Sequence, residues 1–329
     1  MLRLFSALSL ALWLAMPAAA QETTLHHGFG QTTLDPGGVT RIVSVGYHEQ
    51  DFLYALGLAP VGVHEWFGGQ PYATWPWAEA ARLAAGAAPE VQNGYEIDVE
   101  WVWSMEPDLI LATFAPLDAK TYAQLSEIAP VVGPPADYPL WGAPWDAELR
   151  LIGQATGRSL QAEQVIARIA ARIEAAVQAH PEFAGLSGTA AYFSDGQIVG
   201  YRSSDGANRL LAAFGIQTPA RFDEMAGTAG NFVVSTERFD IFDLDILLWL
   251  LEAPSRAAIE SLPTWRTTRL AQEARAIWAD AAMMGALSFQ SPLSIDWALD
   301  RLTVLLSAAA DGDPATGPAK DAGSTAGRP

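Results

Sequence analysis

Three groups of residues in this 329-residue sequence have types and spacings that suit chemistry: two carboxylates at matched positions, a dense aromatic loop, and a pair of histidines that follow strands. Glu100 stands eight positions before Asp108, which opens the apolar run LILA, and Glu237 stands eight before Asp245, which opens ILLW. A helix carrying one exposed Glu and leading into a buried strand, repeated in both halves, sets one carboxylate on each half in an equivalent place. Taken singly, each Glu reads as a solvated surface residue. The segment 64–77, HEWFGGQPYATWPW, holds Trp66, Phe67, Tyr72, Trp75 and Trp77. It reads either as a lid folded over a core or as the wall of a pocket for a bulky or aryl ligand. His48 and His64, with Glu65 beside, admit a direct metal site, against the plainer reading of loop histidines that bond locally. The sequence has no G-x-S-x-G, H-E-x-x-H, phosphate-binding G-x-x-x-x-G-K-[ST] or strand-following G-x-G-x-x-G, which points to binding rather than catalysis.

The elements that must position these residues alternate strand and helix. Arg41 to Val45 reads as a strand, Asp51 to Leu56 as a helix closed by Gly57, and Pro60 to Val63 as a second strand, a parallel crossover unit. The rhythm continues through Asp108–Ala112 and Pro130–Val132, and returns after Pro181. Between the halves lies Ser159 to His180, whose Val165, Ile166, Ile169, Ile173 and Val177 recur at helical steps. Roughly 22 residues at 1.5 Å each reach about 33 Å, long enough to join two bodies. The expected organisation is a signal peptide (1–20), an N-terminal α/β lobe (21–150), an inter-lobe helix (151–182), a C-terminal α/β lobe (183–309) and a disordered tail (310–329).

Composition narrows the function. Residues 1–20 have a positive start, an apolar run and Ala18-Ala19-Ala20 before Gln21, so export and cleavage near Ala20 are expected, with no stable membrane insertion afterwards. No cysteine is present, which excludes disulfides, thiolate sites and a lipid-modified cysteine. Net charge is −18, or −19 once Arg3 leaves with the leader, a surface that repels nucleic acid. In open parallel sheets ligands sit beyond the carboxyl ends of strands. The loops there, residues 283–289 after the strand Ala276-Ile277-Trp278 among them, are rich in rings and poor in cations, with Arg202 the main positive charge. Core packing for Trp249 and a salt bridge from Arg202 to Asp205 remain the plainer alternatives.

The runs RIVSVGYHEQDFLYALGLAPVGV, EWFGGQPYATWPW, EPDLILA, LSEIAPVV, WDAELRLIGQATGR and SPLSIDWALDRL, in this order from Arg41 to Leu306, resemble the periplasmic substrate-binding proteins of iron-siderophore ABC importers, in their ferric-enterobactin-binding-like branch. The resemblance implies two Rossmann-like lobes joined by one long rigid α-helix, with the ligand in a shallow cleft between them and delivery to an inner-membrane ABC permease dimer. It implies permease docking through Glu100 and Glu237, and no catalytic residue, cofactor or protein-bound metal is expected. Many relatives are lipid-anchored through a cysteine; this sequence has none, which fits a freely diffusing periplasmic form, expected as a monomer. Ligand contacts are expected from His64, Trp66, Tyr72, Phe114, Trp141, Arg202, Trp249 and Phe289. A ferric siderophore already chelates its iron, so such a cleft needs rings and a few donors; the acidic surface favours a neutral or cationic ferric hydroxamate over anionic chelates. A cobalamin- or haem-binding protein of the same importer type is the alternative within the fold, and a His48/His64 metal-binding protein the alternative outside it.

Overall fold

The computed structural model describes residues 22–250 and 253–317. The expected signal peptide, Leu251 and Glu252 after Trp249, and residues 318–329 of the expected tail lie outside the described residues. An antiparallel hairpin comes first, β1 (Thr23–His27) and β2 (Gly30–Leu34). Next come β3 (Ile42–Ser44), β4 (Gly62–His64), β5 (Glu90–Gln92), β6 (Leu109–Leu111) and β7 (Val131–Val132), a parallel sheet of order β5-β4-β3-β6-β7. The central strands β3 and β6 are buried at every residue, so they read as short continuous runs without alternation.

The helices of this lobe are α1 (Glu49–Ala55), α2 (Glu79–Ala84), α3 (Val99–Ser104), α4 (Ala119–Ser126) and α5 (Trp145–Ala155). Asp98 and Asp118 accept backbone N–H groups at the starts of α3 and α4, satisfying donors that the first helical turn leaves open.

The second sheet has β8 (Gly188–Ser194), β9 (Gln197–Tyr201), β10 (Asn231–Ser235), β11 (Ile246–Leu250) and β12 (Ala276–Ala279) in the order β10-β9-β8-β11-β12. β8, β11 and β12 run parallel, and β9 and β10 add an antiparallel edge. Edge strand β10 alternates exposed and buried residues, whereas ILLWL of β11 is buried throughout. Around it lie α7 (Gly206–Ala213), α8 (Ala220–Ala226), α9 (Ala253–Ser261), α10 (Pro263–Arg266), α11 (Arg269–Gln272), α12 (Ala281–Phe289) and α13 (Pro292–Ala310). The molecule is thus an α/β protein of two lobes.

Between β7 and β8 the chain passes through α6 (Ser159–Ala179), a 21-residue helix. The segment 151–182, expected as one helix, divides: 151–155 complete α5, and Gly157 at φ 67° makes the turn into α6. Val165 and Ile166 of α6 pack with the first lobe's Leu149 and Ile152, while Ile169, Ile173 and Val177 pack with second-lobe residues. Arg150 of α5 pairs with Glu163 at 2.8 Å, and on the other side Arg168 reaches Asp296 at 2.5 Å and Arg172 reaches Asp300 at 2.6 Å. A continuous helix anchored at both ends resists hinge bending, because a kink would break its i to i−4 bonds.

The lobes also share a core. Trp75 and Trp77 stack with ring centroids 5.0 Å apart and insert against α12, where a Cβ on Gly285 would lie 3.0 Å from both indoles. The aromatic loop is therefore partly the lid that the sequence allowed.

Three expectations change. Residues 283–289, read as a loop, belong to α12; the apolar run has no alternation that separates a buried helix from a loop. The segment before β11 starts as a 3₁₀ helix, Thr236–Phe242. Residues 311–317, assigned to a disordered tail, form a turn in which Thr316 donates to Asp311 at 2.6 Å and Gly312 lies against Arg275.

Candidate ligand cleft

A cavity of about 450 Å³ opens between the lobes at the carboxyl ends of β3, β6, β9 and β11. Its first-lobe wall is built of rings. Tyr47, just after β3, lies parallel to Trp66 on one side (5.7 Å, 10°) and Trp141 on the other (5.8 Å, 9°). Phe114, after β6, meets both indoles edge-on, at 5.4 and 4.6 Å. The Tyr47 hydroxyl donates to the Tyr95 carbonyl at 2.9 Å. Burial, with Tyr95 and Glu96 nearby, pushes its pKa up to about 12, so the ring stays neutral.

The floor is a polar network that carries His48. Its Nδ1–H donates to the Phe289 carbonyl of the second lobe at 2.6 Å, and Nε2 lies 2.9 Å from Glu148 Oε2. Burial pushes the Glu148 carboxyl up; burial also pushes His48 down, but the Glu148 charge and hydrogen bond outweigh it and leave His48 raised. Glu49 lies beneath, accepting from the Phe114 N–H at 2.9 Å and from the Thr113 and Ser44 hydroxyls at 3.2 Å each. A Cβ on Gly46 would fall 1.9 Å from this carboxylate, so only glycine fits.

The second-lobe wall is polar. Asp205 caps α7, accepting from the Ala207 N–H at 3.1 Å, and burial raises its pKa. Arg209 donates across the cleft to the Gly142 and Ala143 carbonyls at 3.1 and 3.2 Å and to Ser204 at 2.5 Å. Tyr201, Asn231, Ser288 and Gln290 complete this wall, with Leu250 and Leu287 between them. Burial pushes Tyr201 up to about 12, so it too is neutral.

Of the ligand contacts expected from sequence, the structure brings Trp66, Phe114, Trp141 and Phe289 together in the cavity lining. The other four do not line it. His64 is fully buried behind Tyr47, its nitrogens 2.9 and 2.7 Å from the Val45 and Gly94 carbonyls. Tyr72 is 43% exposed and covered by Arg82, 4.4 Å from its ring centre. Trp249 is core, stacked 5.9 Å from Trp278, because its side of β11 faces the helices rather than the cleft. Arg202 stands outside the lining, and the charge beside Asp205 is Arg209, not Arg202.

A metal site on His48 and His64 meets a physical obstacle: both nitrogens of each ring are already bonded. Among the described residues no group of three His, Asp or Glu side chains is placed to hold a metal ion.

Sequence reasoning missed Glu148, Asp205, Arg209, Asn231 and Gln290. For Glu148 a signal existed: it shares the stripe of Leu151, Ile152 and Ala155 on α5, and a carboxylate on an apolar stripe is unusual.

Two α/β lobes with a ring-lined cleft between them define a ligand-binding protein of the two-lobed kind. The chain belongs to the periplasmic binding protein family, whose model matches residues 42–278, and this is a family of substrate-binding proteins rather than enzymes. A periplasmic solute binding protein from Mycobacterium smegmatis str. MC2 155 is 32% identical, with a TM-score of 0.77 over 88% of this chain and 99% of that one. PiaA from Streptococcus pneumoniae TIGR4, solved in complex with ferrichrome, shares the fold at 21% identity, with a TM-score of 0.75 over 88% and 99% of the two chains. The probable siderophore-binding lipoprotein YfiY of Bacillus subtilis (strain 168) is 27% identical over 157 residues, 47% of this chain and 45% of that protein, so the match spans under half of either.

Proposed function

We propose that this protein captures a ferric siderophore in the inter-lobe cleft, in the periplasm after loss of residues 1–20, and delivers it as a monomer to an ABC-importer permease. The ligand class follows from one observation: among the described residues, the cleft lining holds no uncommitted cation. Arg209 is held by three carbonyls and His48 is paired with Glu148, while Glu148 and Asp205 face the same space. An anionic chelate would lose hydration without gaining a partner. A neutral or cationic ferric hydroxamate loses little and gains the ring wall.

Tryptophan-fluorescence titrations test this. Ferrioxamine B should bind tightly and ferric enterobactin weakly; tight catecholate binding with no hydroxamate binding would overturn the ligand class.

Delivery rests on the two carboxylates. Glu100 and Glu237 are both exposed, each two residues after the side chain that caps its helix, Asp98 or Ser235. Downstream, Asp108 accepts from Thr40 and Arg41 and Asp245 accepts from Ser187, each tying its strand to the neighbour. The matched framework supports docking of Glu100 and Glu237 onto basic pockets of the two permease halves, with ATP hydrolysis on the cytoplasmic side driving release. Glu100→Ala with Glu237→Ala should leave ligand affinity intact and abolish uptake. Loss of ligand binding in that double variant would contradict the assignment.

A further inference from the structure

The two corners that carry Glu100 and Glu237 share a framework but not a surface. Aligned on their carboxylates, Val102 and Phe239 are both buried, whereas Trp103 on α3 corresponds to Asp240 and Glu106 to Asp243. In the second lobe those charges are occupied: Asp240 pairs with Arg238 at 2.9 Å, and Asp243 accepts the Arg269 N–H at 2.9 Å. In the first lobe Trp103 is 69% exposed and flanked by Glu100, Glu106 and Glu127, whose carboxylates form no ion pair among the described residues. Hollows of about 380 and 530 Å³ open on either side of the indole, both bounded by Glu127 and Ile128. The nearby cation, Arg41, is turned to the carbonyls of Met105 and Glu106 at 2.6 and 3.0 Å.

At three other rings near the surface the protein lays its own guanidinium group on the face. Arg301 lies 3.9 Å from the Trp297 ring centre, Arg256 4.7 Å from Trp278 and Arg82 4.4 Å from Tyr72. Among the described residues no Arg covers Trp103. An exposed indole ringed by carboxylates has the chemistry of a guanidinium site, since the planar cation stacks on the ring while its N–H fork meets the acids.

We propose that the α3–α4 corner is the dominant docking site of this molecule, and that its occupant is an arginine side chain of the permease laid on Trp103 between Glu100, Glu127 and Glu106. This rests on the docking reading above and deepens it: the two lobes dock unequally, and the first lobe sets the orientation. A lysine in the same place would keep the charge but lose the stacking and the fork.

Binding of the ligand-loaded protein to inner-membrane vesicles from the cells that make it, with protease-stripped vesicles as the control, tests the proposal. Trp103→Ala should weaken docking roughly tenfold, Trp103→Phe should recover part of the loss, and Glu106→Gln with Glu127→Gln should weaken docking and flatten its salt dependence. Ligand affinity should not change in any of them, and Glu100→Ala should cost more than Glu237→Ala. If Trp103→Ala docks within twofold of the parent while Glu100→Ala fails, the guanidinium site is wrong and the docking reading stands. If neither Glu100→Ala nor Glu237→Ala weakens docking, the docking reading itself falls. Equal losses from Glu100→Ala and Glu237→Ala would overturn the inequality, and a Trp103→Ala loss matched by lost ligand affinity would mark the indole as structural.

Discussion

The two walls of the cleft are made differently. The first-lobe wall is a set of rings on the segments after β3, β4, β6 and β7, held by one another: Trp66, Tyr47 and Trp141 lie parallel, with Phe114 wedged edge-on. The second-lobe wall is a set of polar side chains at the ends of α7 and α12 and on the edge strand β10. Rings supply apolar area, which is non-directional and generous in free energy; polar groups on stiff helix ends supply direction. The difference teaches that affinity resides mainly in the first lobe and orientation of the ligand in the second.

The largest effect should come from stripping the ring wall. Trp66→Ala with Trp141→Ala removes two indole faces and should weaken ferric-chelate binding by about a thousandfold, on the order of 4 kcal/mol, by fluorescence or calorimetric titration. A loss under tenfold would place the affinity elsewhere.

The seam where the walls meet is next. Asp51 of α1 accepts from Trp77 Nε1 at 2.7 Å and from the Ser291 hydroxyl of the second lobe at 2.6 Å, while its other oxygen has no partner among the described residues. Burial pushes this carboxyl up to about 6, from the 3.8 of an ordinary aspartate. Because the folded state favours the protonated form, that form's contribution is complete below about pH 3.8 and is lost as pH rises through about 6. Asp51→Asn does not titrate, so its urea stability relative to the parent should rise between pH 4 and 6.5 by up to about 3 kcal/mol. A gap that stays constant with pH would refute the assignment.

Gly285→Ala probes the same seam from the second lobe. Its new methyl meets Trp75 and Trp77 and should destabilise the protein by about 2 kcal/mol while leaving the distant α3 corner unaffected. Thermal unfolding measures the first effect, vesicle docking the second.

The smallest effect should come from the polar wall. Asn231→Ala should weaken binding only about threefold, under about 1 kcal/mol, yet change the order of preference among the chelates titrated. A loss as large as that of the paired indoles would erase the contrast between the walls.

Much of this architecture was legible in the sequence, because buried parallel strands such as LILA and ILLWL read as short continuous apolar runs and the branched residues of α6 recur at helical steps. The ring wall was half legible: Trp66, Phe114 and Trp141 follow from strand-end loops, whereas Phe289 reaches the cavity from the end of α12. Trp249 misled because strand position does not tell which face a side chain takes when both faces are buried. Arg209 and Asp205 were hidden for another reason. A charged residue near a helix start looks solvated until the opposing lobe closes over it, and that contact joins residues far apart in sequence. The choice of Arg202 over Arg209 failed on that point.

The most direct test of the cleft's role is native mass spectrometry of the protein purified from iron-starved cells, run beside the Trp66→Ala, Trp141→Ala variant. The expected result is one ferric chelate per chain in the parent and none in the variant. Stoichiometric zinc or manganese without a chelator, or an equally loaded variant, would contradict the account.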